Sequence, residues 1–193
     1  MTFLAHLANL DRALFLALNR DIANPIFDAC FPIITNGRYW IAPVLVALFF
    51  FLRKEKKKGL WVIAAALVLI AISDPLCVRV LKPFFKRLRP CDPAALVEGG
   101  RFLIGTYRSY SFPSAHAFNI FAQAVFFSSL YTKYRVYFSF LAALVSFSRI
   151  YTGVHYPGDV AAGALAGAIL GLVFFKAVNY AATRYGEKKE SSA

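Results

Sequence analysis

Carboxylates are scarce in this chain: 10 Asp and Glu stand against 22 Lys and Arg, a formal charge of +12 over 193 residues. Histidine is scarcer, with three, and the three cysteines Cys30, Cys77 and Cys91 are widely spaced. So few and such scattered ligand types offer no plausible metal set, and neither metal nor cofactor is expected. The cysteine spacing also excludes a disulfide framework: Cys77 reads as a small buried hydrophobe, Cys91 as a loop-packing residue. A cleavable leader is not expected either. Met1-Thr-Phe has no basic run, and Asp11-Arg12 interrupts the first apolar stretch.

What is abundant is oil. Apolar residues make up 59% of the chain and aromatic residues 17%, with a mean hydropathy of +0.57. Those values exceed the globular norm and point to a membrane protein. The basic residues cluster at Arg53–Lys58, Lys82–Arg89, Lys133–Arg135 and Arg184–Lys189, each at the end of an apolar run. Positive-inside anchoring and an anionic substrate account for that pattern better than a nucleic-acid face, so no nucleic-acid partner is expected.

Phe3, Leu7, Leu10, Leu14 and Leu18 recur at helical spacing, with His6, Asn9, Asp11, Arg12 and Asn19 on other faces. This is an amphipathic helix suited to lie in the membrane interface. Asn24-Pro25 breaks it, and a short segment, Ile26–Thr35, leads to the turn Asn36-Gly37. Five apolar runs follow at Tyr39–Leu52, Leu60–Leu81, Ala115–Tyr131, Val136–Ser148 and Val160–Tyr180. In lipid only helices satisfy the backbone without closing a barrel. The expected fold is therefore all-α, a polytopic transmembrane bundle of about five spans, with six as the alternative, plus the interfacial helix. It forms one domain over residues 1–193, with an N-terminal interfacial segment (1–36), an ordered outer loop (82–112) and a cytoplasmic tail (181–193). Placing Arg53–Lys58 in the cytoplasm puts the 82–112 and 149–159 connections outside.

Three polar clusters interrupt the oil, and the alternation sets all of them on that outer side. The first is Lys82-Pro-Phe-Phe-Lys-Arg-Leu-Arg89-Pro90. If the preceding helix continues, its bases fall one or two turns apart until Pro90 ends it. Lys86 and Arg87 read as a snorkelling rim. The second is Pro113-Ser114-Ala115-His116, a Ser N-cap whose helix would aim the N–H groups of Ala115 and His116 at an anion. The third joins Ser148-Arg149 to His155 and Asp159. A carboxylate four residues on can accept from the imidazole and fix its tautomer, leaving either an oriented nucleophile or a general base. Arg149 offers a planar fork for phosphate oxygens. Charges beside membrane spans are costly and usually functional. Asp74, inside the second span, is expected to pair with Arg79 or a neighbouring helix. Gly163, Gly167 and Gly171 form a small-residue face for close packing within the bundle.

In order, spacing and membrane context, Lys82-x6-Arg89-Pro90, Pro113-Ser114-x-His116 and Ser148-Arg149-x5-His155-x3-Asp159 resemble the three-part signature of the type 2 phosphatidic acid phosphatase superfamily. The departure is Ala115, where the family commonly has Gly; the backbone N–H is retained. The resemblance implies a metal-independent lipid phosphatase that works through a phosphohistidine. His155 would be the nucleophile, Asp159 its orienting group and His116 the general acid. Lys82, Arg89, Ser114, Ala115 and Arg149 would bind the phosphate. It further implies a phosphorylated membrane lipid as substrate and a bacterial inner-membrane location, with the site facing the periplasm or exterior. Undecaprenyl pyrophosphate is the leading substrate on this reading. The alternatives are a lipid A 1-phosphatase, a phosphatidylglycerophosphate phosphatase and a lipid phosphotransferase. The motifs read the phosphate and leave the lipid and the oligomeric state open.

Overall fold

The computed structural model describes residues 3–190, and among them every regular element is a helix. Helix α1 (Phe3–Leu16) runs into a π-helical turn (Ala17–Asp21), and α2 (Pro25–Thr35) follows with Asn24 as its N-cap. Next come α3 (Gly37–Pro75), a second π-helical stretch (Leu76–Leu81) and α4 (Lys82–Phe85). After the long connection come α5 (Ala115–Leu130), α6 (Arg135–Tyr151) and α7 (Pro157–Glu190). Of the expected cytoplasmic tail, residues 181–190 continue α7 as helix, and 191–193 lie outside the described residues.

Although α3 reads as one long helix, Lys56 breaks it with φ 52° and ψ −127°. The chain doubles back there. Gly37 and Asp74 line one cavity of about 1020 Å³, whereas a straight helix would hold them roughly 55 Å apart. The two arms are the first two expected spans, joined through the basic turn. Lys58 stacks over Tyr131 at the α5–α6 corner, so the two basic turns share one end of the bundle.

Close contact between α5 and α7 organises the centre. A Cβ on Gly163, Gly167 or Gly171 would sit 2.5, 2.1 or 2.3 Å from the backbone oxygens of Ser114, Phe118 and Ala122. The small-residue stripe is thus an internal seam, where only hydrogen fits between the helices. Cys77 and Cys91 are fully buried, as packing residues should be.

The amphipathic helix α1 is used differently from a plain surface anchor. Phe3, Leu7, Leu10 and Leu14 face outward, while Phe15 and Asn19 are fully buried. The Asn19 side chain donates to the carbonyls of Arg101 (2.8 Å) and Tyr151 (2.7 Å) and accepts from Arg101 N (2.6 Å). It stitches α1 to the long connection between α4 and α5 and to the end of α6.

Candidate active site

Helix α4 stops four residues earlier than the Pro90 signal suggests, because Lys86 adopts a left-handed conformation (φ 51°, ψ 27°). The turn leaves Lys86 exposed and sends Arg87 and Arg89 back over the bundle. The loop beyond is ordered by its own bonds, among them Val97 N to Pro90 O (2.9 Å) and Ser111 N to Arg87 O (2.7 Å). At Gly153 (φ 88°) the loop comes so close that a Cβ would lie 2.2 Å from Arg101 O, so glycine is required there.

These constraints deliver the three polar clusters to one cavity, whose wall includes Lys82, Arg89, Ala115, His116, Arg149 and His155. Helix α7 starts at Pro157, which places Asp159 in its first turn below His155. His155 Nδ1 faces Asp159 Oδ2 at 3.3 Å, and that oxygen also accepts from Tyr156 N at 2.9 Å. With Nδ1 donating to the carboxylate, the lone pair of Nε2 takes the bond from Arg89 Nη1 at 3.0 Å. His155 and Asp159 are 1% and 0% exposed. Burial, and then the cations Arg89, Arg149 and Lys82, hold the His155 pKa well below its ordinary 6.5. At neutral pH it is an uncharged imidazole with an oriented lone pair.

The cations are held in place from behind. Lys82 Nζ donates to the carbonyls of Tyr110 (2.6 Å) and Ser111 (3.2 Å). Arg89 Nε donates to Ser109 O and Oγ, at 3.1 and 3.0 Å. Arg149 Nη1 donates to Thr35 Oγ1, while Arg149 Nε is buried without a hydrogen-bond partner among the described residues. A buried, unsatisfied guanidinium N–H beside two further cations fits a site built for a multiply charged oxyanion.

Ser114 is the one expected phosphate ligand that does not line this cavity. It is fully buried, its Oγ accepts from Ala117 N at 3.5 Å, and its N donates to Asp159 O at 2.9 Å. It caps α5 and ties that helix to α7, so that Ala115 and His116 open the positive helix end onto the cavity.

Arg87 corrects the expectation of a snorkelling rim. Its Nη1 donates to Asp159 Oδ1 at 2.8 Å and its Nη2 to Asp11 Oδ2 at 2.6 Å, while the guanidinium lies 4.1 Å from the centre of the Tyr156 ring. Asp11 Oδ1 accepts from Gly158 N at 2.7 Å. The residues missed by sequence reading are therefore Asp11, Thr35, Arg87 and Ser109. For Asp11 the available signal was an i, i+4, i+8 row with Phe15 and Asn19 along one edge of α1.

The PAP2 superfamily model matches residues 59–182, well over half the chain and all three clusters. The chain belongs to the PAP2 superfamily. It is 33% identical to a lipid A 4'-phosphatase of Porphyromonas gingivalis, over 93% of this chain and 78% of that protein. It also resembles the crystal structure of Aquifex aeolicus LpxE, with TM-score 0.62 and 31% identity over 85% of this chain and 93% of that one. The fold alone is shared with a transmembrane PAP2 type phosphatidylglycerolphosphate phosphatase from Bacillus subtilis, at TM-score 0.66 and 23% identity over 91% and 87% of the two chains. This PAP2 protein is a transmembrane helix bundle and a membrane lipid phosphatase, a hydrolase acting on a phosphorylated lipid.

Proposed function

We propose that this PAP2 enzyme removes a phosphate from a lipid A-type saccharolipid through a phosphohistidine on His155. The observation that carries the chemistry is the His155–Asp159 pair, with Nε2 held by Arg89 on a cavity wall shared with Lys82, His116 and Arg149. Nε2 attacks phosphorus as the bond to the leaving oxygen breaks, and His116 gives that oxygen its proton. Water then attacks the phosphohistidine and yields its proton to His116. The new P–O bond forms as the N–P bond breaks, releasing phosphate. Arg89 exchanges its bond to Nε2 for one to a phosphate oxygen. Lys82 and Arg149 take the others and hold the charge that builds in the transition state. Ala115 contributes backbone N–H at the α5 end, and Ser114 keeps that end in register with Asp159.

The cavity also takes residues from α2, α3, α5 and α6, which suits a lipid entering sideways from the outer leaflet. The compact size of the chain and the outward site expected from its sequence put undecaprenyl pyrophosphate first, while the motifs themselves do not separate the lipids. The likeness to a lipid A 4'-phosphatase over most of both chains favours a saccharolipid phosphate instead. The test is a comparison of kcat/KM for purified protein on lipid A, undecaprenyl pyrophosphate and phosphatidylglycerophosphate. Lipid A should be the best by at least tenfold; an equal or better rate on the polyprenyl substrate overturns the assignment.

A further inference from the structure

Below the phosphate-binding cations the cavity continues between α3 and α5, and its deep wall is mostly apolar, including Ile70, Val78, Ile120 and Val145. Asp74, Asn119 and Gln123 interrupt it, and the Gln123 amide donates to Ala66 O at 3.0 Å. Asp74, Val78 and Lys82 all line the cavity, and Asp74 lies eight residues before Lys82 across the π-helical stretch, on the order of 10 Å below it along the axis. Its Oδ1 accepts from Asn119 Nδ2 on α5 at 2.8 Å. The expected pairing with a neighbouring helix is thus met by Asn119; among the described residues no cation, Arg79 included, pairs with Asp74. Asp74 is exposed to the cavity, and Asn119 Oδ1 is buried without a partner among the described residues, so within them the amide is oriented by the carboxylate. An ionisable side chain at this depth is expensive, and one left open to a cavity without a counter-charge has acceptor capacity to offer.

We propose that Asp74, oriented by Asn119, is a substrate-recognition site for a hydrogen-bond donor, a hydroxyl or amide N–H, carried by the lipid on the order of 10 Å from its phosphate. This rests on the cavity being the lipid-binding site, and it selects donor-bearing acylated sugars over prenyl chains, which have no donor at that depth. Asn119 holds the carboxylate toward the lipid, and the apolar wall around it makes an unmatched or absent donor unfavourable.

The probes are a glucosamine phosphate N-acylated with a 3-hydroxy fatty acid, its O-acyl analogue lacking the chain hydroxyl and amide N–H, and a polyprenyl phosphate. For the unmodified enzyme, kcat/KM on the donor-bearing lipid should exceed that on the analogue by about tenfold or more, as a hydrogen bond to a charged acceptor implies. In Asp74→Leu that ratio should collapse toward one, while Asp74→Asn should retain part of it. A wild-type ratio near one, or an unchanged ratio in Asp74→Leu, overturns the proposal. Affinities of the same lipids for a folded His155→Gln variant give the ratio without turnover. Failure of the enzyme to hydrolyse any of them would sink the proposed phosphatase function, while the affinity ratio still decides the recognition site. The wild-type comparison stands even if Asp74→Leu does not fold.

Discussion

Arg87 Nη1 lies 2.8 Å from Asp159 Oδ1, and the same guanidinium reaches Asp11 Oδ2 at 2.6 Å, so a residue of the N-terminal helix braces the carboxylate behind His155. Asp159 uses one oxygen for Arg87 and the other for His155 and Tyr156 N, which leaves the carboxylate little freedom to rotate. The brace also links α1, whose apolar face points outward, directly to the site.

Arg87 is therefore a positioning residue. Arg87→Ala should lower kcat by roughly 10- to 100-fold, the range for groups that orient a ligand from behind, with KM little changed. Arg87→Lys should restore part of the loss, and Asp11→Asn should have a smaller effect in the same direction. Steady-state kinetics on a lipid phosphate check this. A rise in KM at constant kcat would place Arg87 against the substrate instead.

The α5–α7 seam predicts a steric penalty. A Cβ at Gly167 would lie 2.1 Å from Phe118 O, so Gly167→Ala must push the helices apart, at a cost of about 1–3 kcal/mol. The melting temperature in detergent should fall, and activity with it, since the same seam sets Ser114 against Asp159. Gly37→Ala, which meets nothing within 4 Å, is the control and should melt as wild type.

His155 is held well below its ordinary pKa of 6.5 by burial and by neighbouring cations. Protonation of Nε2 abolishes the nucleophile, so the acidic limb of kcat/KM assigned to it should have its midpoint below 6.5. Replacing Arg89 by Gln removes one of the depressing charges and should move that limb upward. Stability has a matching sign. Below 6.5 the unfolded chain takes up a proton that the fold refuses, so the His155 contribution is present above that pH and is lost as pH falls. A pH–rate profile whose limb sits above 6.5 in the wild type contradicts the assigned protonation state.

The positions of the basic turns predict that the connection between α4 and α5 faces the cell exterior. Thr106 is exposed in that connection, and Cys77 and Cys91 are fully buried. A Thr106→Cys variant in a Cys30→Ala background should react with an impermeant thiol reagent on intact cells. Labelling only after lysis would reverse the topology.

Much of the fold was legible because apolar runs and caps are local signals. Pro157 and Ser114 begin helices where their chemistry says they should, and the Gly163–Gly171 stripe announces a close helix seam. His155, Asp159, His116, Arg89, Lys82 and Arg149 were legible because motif spacing carries them. The bracing residues were not. Asp11 and Arg87 are 76 positions apart, and only the left-handed turn at Lys86 brings them together. Thr35 reaches Arg149 across 114 positions. Such pairings depend on tertiary placement, which no local periodicity encodes. Ser114 shows a second role that its motif position does not announce: its buried hydroxyl accepts from Ala117 N and caps α5.

The claim on which the rest depends is that Nε2 of His155 carries the phosphoryl group. Enzyme turning over a lipid with a radiolabelled phosphate should be quenched in alkali, which preserves phosphohistidine, and the protein digested and mapped by mass spectrometry. The account predicts label on the peptide containing His155, with none in a folded His155→Ala variant that has lost activity by orders of magnitude. Full turnover by His155→Ala, or label on His116 in place of His155, would contradict it.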